Sequence, residues 1–178
     1  MTVKTPRTPV VAVLLLAVLL LFVSTALAQQ KRLTISGNGI QRTEITAEDL
    51  GKMSRLSVDV MDAHSGKMQC CEGVRLSDLL AKAGVALGDS LHGRALATYV
   101  VAHARDGYMV VYSLAELDPA MNGNQIIVAD KMDGKPLEPM QGPFRVVVPG
   151  DKRPARWVRM VDGFEVAEAV SPSESSPR

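Results

Sequence analysis

Four cations, Lys152, Arg153, Arg156 and Arg159, follow closely on the Pro149-Gly150 break. Positive charge grouped beside a glycine turn forms a cradle for a phosphate or another anion. Arginine suits that task further, because its planar fork of donors matches phosphate oxygens and heterocycle edges. The plainer alternative is a solvated turn whose cations pair with Asp151 and Asp162, an arrangement of little energetic weight. Glu116 and Asp118 offer a second constellation. Two carboxylates at that spacing serve either general acid–base chemistry or capping and turn formation before Pro119. Cys70 and Cys71 are adjacent, so on a strand their thiols point to opposite faces and a direct disulfide would be strained. One buried thiol and one nearer the surface is the expectation. His64, His92 and His103 are scattered, and no metal motif emerges from their spacing.

These residues need a scaffold, and the hydrophobic pattern outlines one. Strands are expected at Lys31–Ser36, Leu56–Met61, Lys67–Cys71, Ala95–Ala102, Tyr108–Tyr112, Gln125–Ala129 and Phe144–Val148. Trp157–Met160 and Phe164–Val166 close the domain, with Trp157 on a strand packing inward and Arg156 facing out. Thr46 caps a short helix running to about Met53, and Ser113 caps a single turn before Pro119. A third helix opens at Gly73-Val74-Arg75-Leu76 and ends at Gly84. Asp106-Gly107 and Asp133-Gly134 are turn signals, and Pro136 and Pro139 exclude a regular central strand beside the second. Many short strands, few short helices and no regular βα alternation indicate an α+β fold with mixed or antiparallel sheet.

The chain has 178 residues and a formal net charge of +1, which gives no global attraction to nucleic acid. Aromatic residues make up only 4%, so the core rests on aliphatic side chains, and the nine methionines are expected to fill gaps in it. Lys4 and Arg7 precede an apolar run from Val10 to Val23, and Ala26-Leu27-Ala28 supplies a cleavage signal. Residues 1–28 therefore read as a signal peptide of the general secretory type, since no Arg-Arg pair precedes the apolar run. The mature domain is expected over 29–170, periplasmic or secreted and not membrane-bound after cleavage. The polar 171–178 tail is expected to be disordered.

Four segments, taken in order, resemble the sulfite-oxidase-type (oxidoreductase) molybdopterin-binding domain family. They are Glu72-Gly73-Val74-Arg75-Leu76-Ser77-Asp78-Leu79-Leu80; Asp106-Gly107-Tyr108 with Tyr112–Leu117; Met132–Leu137 with Gly142-Pro143-Phe144-Arg145-Val146-Val147-Val148-Pro149-Gly150; and Ala155–Val161. The resemblance implies that family's fold and molybdopterin, a pterin with a dithiolene and a phosphate, as cofactor. It also implies that Arg156 and Arg159, with Lys152 and Arg153 in the same loop, contact the pterin or its phosphate. Catalytic members supply a cysteine thiolate to molybdenum from a segment that corresponds here to Leu56–Gly66. That segment holds no cysteine, and Met61 lies near the expected position. Two functions are therefore expected to compete. One is an exported molybdopterin-dependent oxidoreductase, or its cofactor-binding component, working with a periplasmic redox partner. The other is a non-catalytic module that keeps the fold and binds a small anion, a pterin-like ligand or a partner protein.

Overall fold

The computed structural model describes residues 32–62 and 65–170. The expected signal peptide, the 171–178 tail and His64 lie outside them.

Alternation of apolar and polar residues sets the first sheet. In β1 (Arg32–Gly37), Leu33 and Ile35 are buried while Arg32 faces solvent. β1 pairs with β2 (Thr43–Thr46) on one side and β10 (Val161–Glu168) on the other, and β10 pairs with β5 (Thr98–Ala104), which pairs with β6 (Met109–Ser113). β1 and β10 run parallel and the other ladders of this sheet are antiparallel. The second sheet is antiparallel, in the order β3 (Arg55–Met61), β4 (Met68–Arg75), β7 (Ile127–Met132), β8 (Lys135–Pro136), with β9 (Arg145–Val147) also on β7. Leu33, Ile35, Val100, Tyr112 and Phe164 of the first sheet join Val58, Cys71, Ile127 and Val146 of the second in one buried cluster. This is the expected α+β architecture of mixed and antiparallel sheet.

The helices are short and their caps explain them. Thr46 and Asp49 form a capping box at α1 (Ala47–Gly51), satisfying backbone N–H groups that the helix leaves open. Ser113 and Glu116 do the same for α3 (Leu114–Leu117). α2 (Leu76–Lys82) buries Leu76, Leu79 and Leu80, and Gly84 follows its end at a φ of +88°.

Several expectations shift by a few residues for identifiable reasons. Gly73 does not open α2 but lies in β4 beside a bulge, where a Cβ would come within 2.1 Å of the Val128 carbonyl oxygen. The glycine is needed for close strand approach. Residues Gly93–Ala97 form a 3₁₀ turn, so β5 begins only at Thr98. Trp157–Met160 is not a strand; a 3₁₀ turn at Pro154–Arg156 precedes it, and the last strand starts at Val161. Trp157 is nevertheless buried. The methionines contribute little to the core: among the described residues none is fully buried, Met53 and Met132 pack against its edge, and Met61, Met68, Met109, Met121 and Met140 are exposed.

Candidate functional site

A cleft of about 340 Å³ opens between the end of the β3–β4 hairpin, the β5–β6 turn and the segment that leads into β10. That size is at the small end of ligand sites, which run from roughly 300 to 1,000 Å³. Met61 and Gln69 come from the hairpin, Tyr108 from the turn, Gln141 and Arg145 from the approach to β9 and β9 itself, and Trp157 and Arg159 from beyond the 3₁₀ turn.

Arg145 and Gln141 are the exceptional groups. Buried polar atoms are normally hydrogen-bonded. Yet Arg145 Nε and Gln141 Oε1 are buried and have no partner among the described residues. The guanidinium of Arg145 stacks over the Trp157 ring, 5.3 Å from its centroid. Burial pulls the Arg145 pKa below its ordinary value, and the like charge of Arg159 adds to the effect. Two residues that line the cleft thus carry one buried unpartnered donor and one buried unpartnered acceptor, beside an aromatic wall.

The surrounding loops are tied down by contacts that leave these two groups open. Trp157 Nε1 donates to the Val148 carbonyl at 3.0 Å, and Tyr108 Oη donates to the Ala155 carbonyl at 2.6 Å. Arg105 Nη2 donates to the Gly142 carbonyl at 2.7 Å, next to the cis Gly142-Pro143 peptide. The Met160 amide donates to the backbone carbonyl of Gln141 at 3.0 Å.

The four cations of the basic loop do not converge. Arg159 lines the cleft. Lys152 and Arg153 are exposed, and neither lines it. Arg156 points its donors elsewhere: Nε and Nη2 to Asp151 at 3.0 and 2.7 Å, and Nη1 to Glu116 Oε2 at 2.9 Å. Together the two carboxylates raise the Arg156 pKa. Glu116 is thereby occupied twice, as helix cap and as partner of Arg156. Asp118 is buried and accepts from the Gly88 and Ala120 amides at 2.6 and 2.8 Å. The carboxylate pair therefore does capping and turn work. His103 lies 3.4 Å from Glu165, away from the cleft lining.

Arg145 and Gln141 were not singled out by sequence reasoning. The available signal was an arginine inside the apolar run Phe144-Arg145-Val146-Val147-Val148, where a charge is costly without a purpose.

The family model for the oxidoreductase molybdopterin binding domain matches residues 22–175. The chain belongs to that family. Among solved structures, 27 chains match this molybdopterin-binding domain. One is the crystal structure of the sulfane dehydrogenase SoxCD from Paracoccus pantotrophus, with a TM-score of 0.61 and 20% identity. The similarity covers 78% of this chain and 38% of that one, so the chain spans well under half of its length. A likeness at that identity shows the fold. No curated protein matches the chain.

The residues of the cleft match one part of the family's cofactor and not the other. A pterin carries ring N–H donors and acceptors, which suit Gln141 Oε1 and Arg145 Nε, and a phosphate, which suits Arg159. Molybdenum ligation in catalytic members needs a thiolate, and neither Cys70 nor Cys71 lines the cleft. Cys71 lies wholly in the core, where burial pushes its thiol pKa up. Among the described residues no cluster of three or more His, Cys, Asp or Glu side chains could hold a metal.

Proposed function

We propose that this chain is an exported binding module of the molybdopterin-binding family that takes an anionic, pterin-like ligand in the cleft and performs no molybdenum-centred chemistry. The buried, unpartnered Arg145 Nε and Gln141 Oε1 carry the reading. Leaving two such atoms without partners costs roughly 1–3 kcal/mol each, which a ligand with complementary edges would recover. Arg145 donates to a ring or carboxylate acceptor, Gln141 accepts a ring N–H, and Arg159 at the rim faces the anionic group. Trp157 holds Arg145 in place from beneath.

Molybdopterin, when bound, supplies a dithiolene that holds molybdenum for oxygen-atom transfer. In this cleft the sulfur on offer is the thioether of Met61, a poor substitute for an anionic thiolate. Residues 1–28, read as a secretory leader, favour export of an unfolded chain, which suits a ligand acquired outside the cytoplasm. Family membership favours the rival reading, an oxidoreductase loaded with the complete cofactor and served by a periplasmic redox partner.

Protein purified gently from the exported fraction distinguishes the two. The binding module is expected to hold molybdenum far below one atom per chain and to bind pterin-6-carboxylate, with loss of binding in Arg145→Met. Molybdenum close to one per chain would overturn the non-catalytic reading. No pterin binding by the wild type would overturn the ligand assignment.

A further inference from the structure

The outer face of the β3–β4 hairpin gathers sulfur in a way the cleft does not. Met61 pairs directly with Met68, and Asp59 with Cys70, in the antiparallel register. Directly opposed residues share a face, and residues two apart on a strand share it too. Met61, Met68 and Cys70 therefore project together. The opposite face of the same ribbon carries the buried Val58, Val60 and Cys71. Met61 and Met68 are 64% and 60% exposed, and Cys70 is half-buried. Opposed Cβ atoms lie about 4.5–5.5 Å apart and diagonal neighbours about 7–8 Å, spans that flexible thioethers and a thiol can bridge through one ion.

We infer that Met61, Met68 and Cys70 form a three-sulfur site for a soft monovalent metal ion, Cu(I) in particular. Thioether and thiolate ligands select Cu(I), whereas hard cations and Zn(II) gain little from a thioether. Binding exchanges the Cys70 thiol proton for the ion, Cys–SH + Cu⁺ giving Cys–S–Cu + H⁺, and the proton leaves to solvent. No oxidation step is involved. Asp59 lies directly opposite Cys70 in the register, so a carboxylate stands on the face that the cation would approach. Met61 also lines the cleft, whereas Met68 and Cys70 do not.

The test is anaerobic titration of the reduced full chain with Cu(I) alone, in competition with a chromogenic Cu(I) chelator. One Cu(I) per chain is expected. Losing a partner behind a metal ligand already costs roughly 10–100-fold, so Cys70→Ser should weaken binding by at least that factor. Met61→Leu and Met68→Leu should each weaken it measurably, and the double variant more. All three positions are on a solvent-facing surface, and far-ultraviolet dichroism checks that the variants remain folded. As a second measurement, Cu(I) should protect Cys70 from alkylation, while buried Cys71 stays unreactive with or without the metal. No Cu(I) retained by the wild type overturns the proposal, as does wild-type affinity in Cys70→Ser. Loss on Cys70→Ser with no change in the double methionine variant overturns the three-sulfur site in favour of a simple thiol. Pterin-6-carboxylate binding that survives Cys70→Ser separates this result from any failure of the cleft.

Discussion

Arg156 and Tyr112 hold each other from two directions. The guanidinium of Arg156 lies over the Tyr112 ring, 5.5 Å from its centroid, and the Tyr112 hydroxyl donates to the Arg156 backbone carbonyl. With Asp151 and Glu116 on its donors, Arg156 fastens the 3₁₀ turn to β6 and α3. The turn in turn sets Trp157, which supports Arg145. Arg156, one of the four cations expected from sequence to contact a ligand, thus holds the turn behind Arg145, which lines the cleft together with Arg159.

Arg156→Ala is therefore expected to lower stability rather than to act only on binding. Both partner carboxylates are largely shielded, and hydrogen bonds to charged groups contribute about 1.5–3 kcal/mol each, so a loss of about 2–3 kcal/mol is expected. Urea denaturation of the two proteins measures it. Arg156→Lys should recover only part, because an ammonium cannot serve Asp151 and Glu116 with the same fork.

Arg145→Met should have the opposite profile. Pterin-6-carboxylate affinity should fall by at least about tenfold, the scale of one charge-assisted hydrogen bond. Thermal stability should hold or rise, because a half-buried cation with an unpartnered Nε is exchanged for a thioether of similar length. Fluorescence titration and a melting curve on the same sample read both quantities.

Gly73→Ala should damage the second sheet. The added methyl would meet the Val128 carbonyl oxygen at 2.1 Å and the Ala129 Cα at 2.6 Å, both backbone atoms that cannot swing aside. Forced separation of β4 and β7 costs about 1–3 kcal/mol or more. A lowered urea midpoint, with amide exchange increased first in β4 and β7, is the expected readout.

The acid side of the stability curve should carry a signature of α1. Hydrogen bonds from the Thr46 side chain and backbone hold the Asp49 carboxyl below its ordinary pKa. The unfolded chain, titrating near about 3.9, binds a proton more readily than the folded one. The capping contribution is therefore complete above that value and fades as pH falls through the lower folded value. Asp49→Asn should flatten the dependence of the urea midpoint on pH between about 5 and 2.

Local chemistry was legible in the sequence where one residue decides one feature. Thr46 and Ser113 announce their helices, Asp106-Gly107 and Asp133-Gly134 their turns, and Leu33 and Ile35 the face that β1 buries. What depended on distant partners was not. Thr43–Thr46 offers a single buried residue, Ile45, and becomes a strand only because β1 lies beside it. The cations of the basic loop looked equivalent, yet Glu116, forty positions before Arg156 in the chain, commits that one to structure. Arg145 was concealed by its apolar neighbours. The methionines misled because composition cannot say which of them reach the core: Met53 and Met132 pack against it, while Met61, Met68, Met109, Met121 and Met140 face solvent.

The parallel ladder between β1 and β10 has a consequence for the order in which the molecule assembles. Ile35 lies opposite Phe164, and Gly37 fits against Val166 so closely that a side chain there would collide with its carbonyl. Among the described residues, the earliest strand is completed by the latest. Until residues 161–168 have emerged, Leu33 and Ile35 lack their neighbour, and β5 lacks the strand that joins it to the sheet. Sheet closure is a long-range event that pays its loop entropy late, so the second sheet and its hairpins should acquire protection before the first. A nascent chain therefore remains exposed along one seam until residues 161–168 are available.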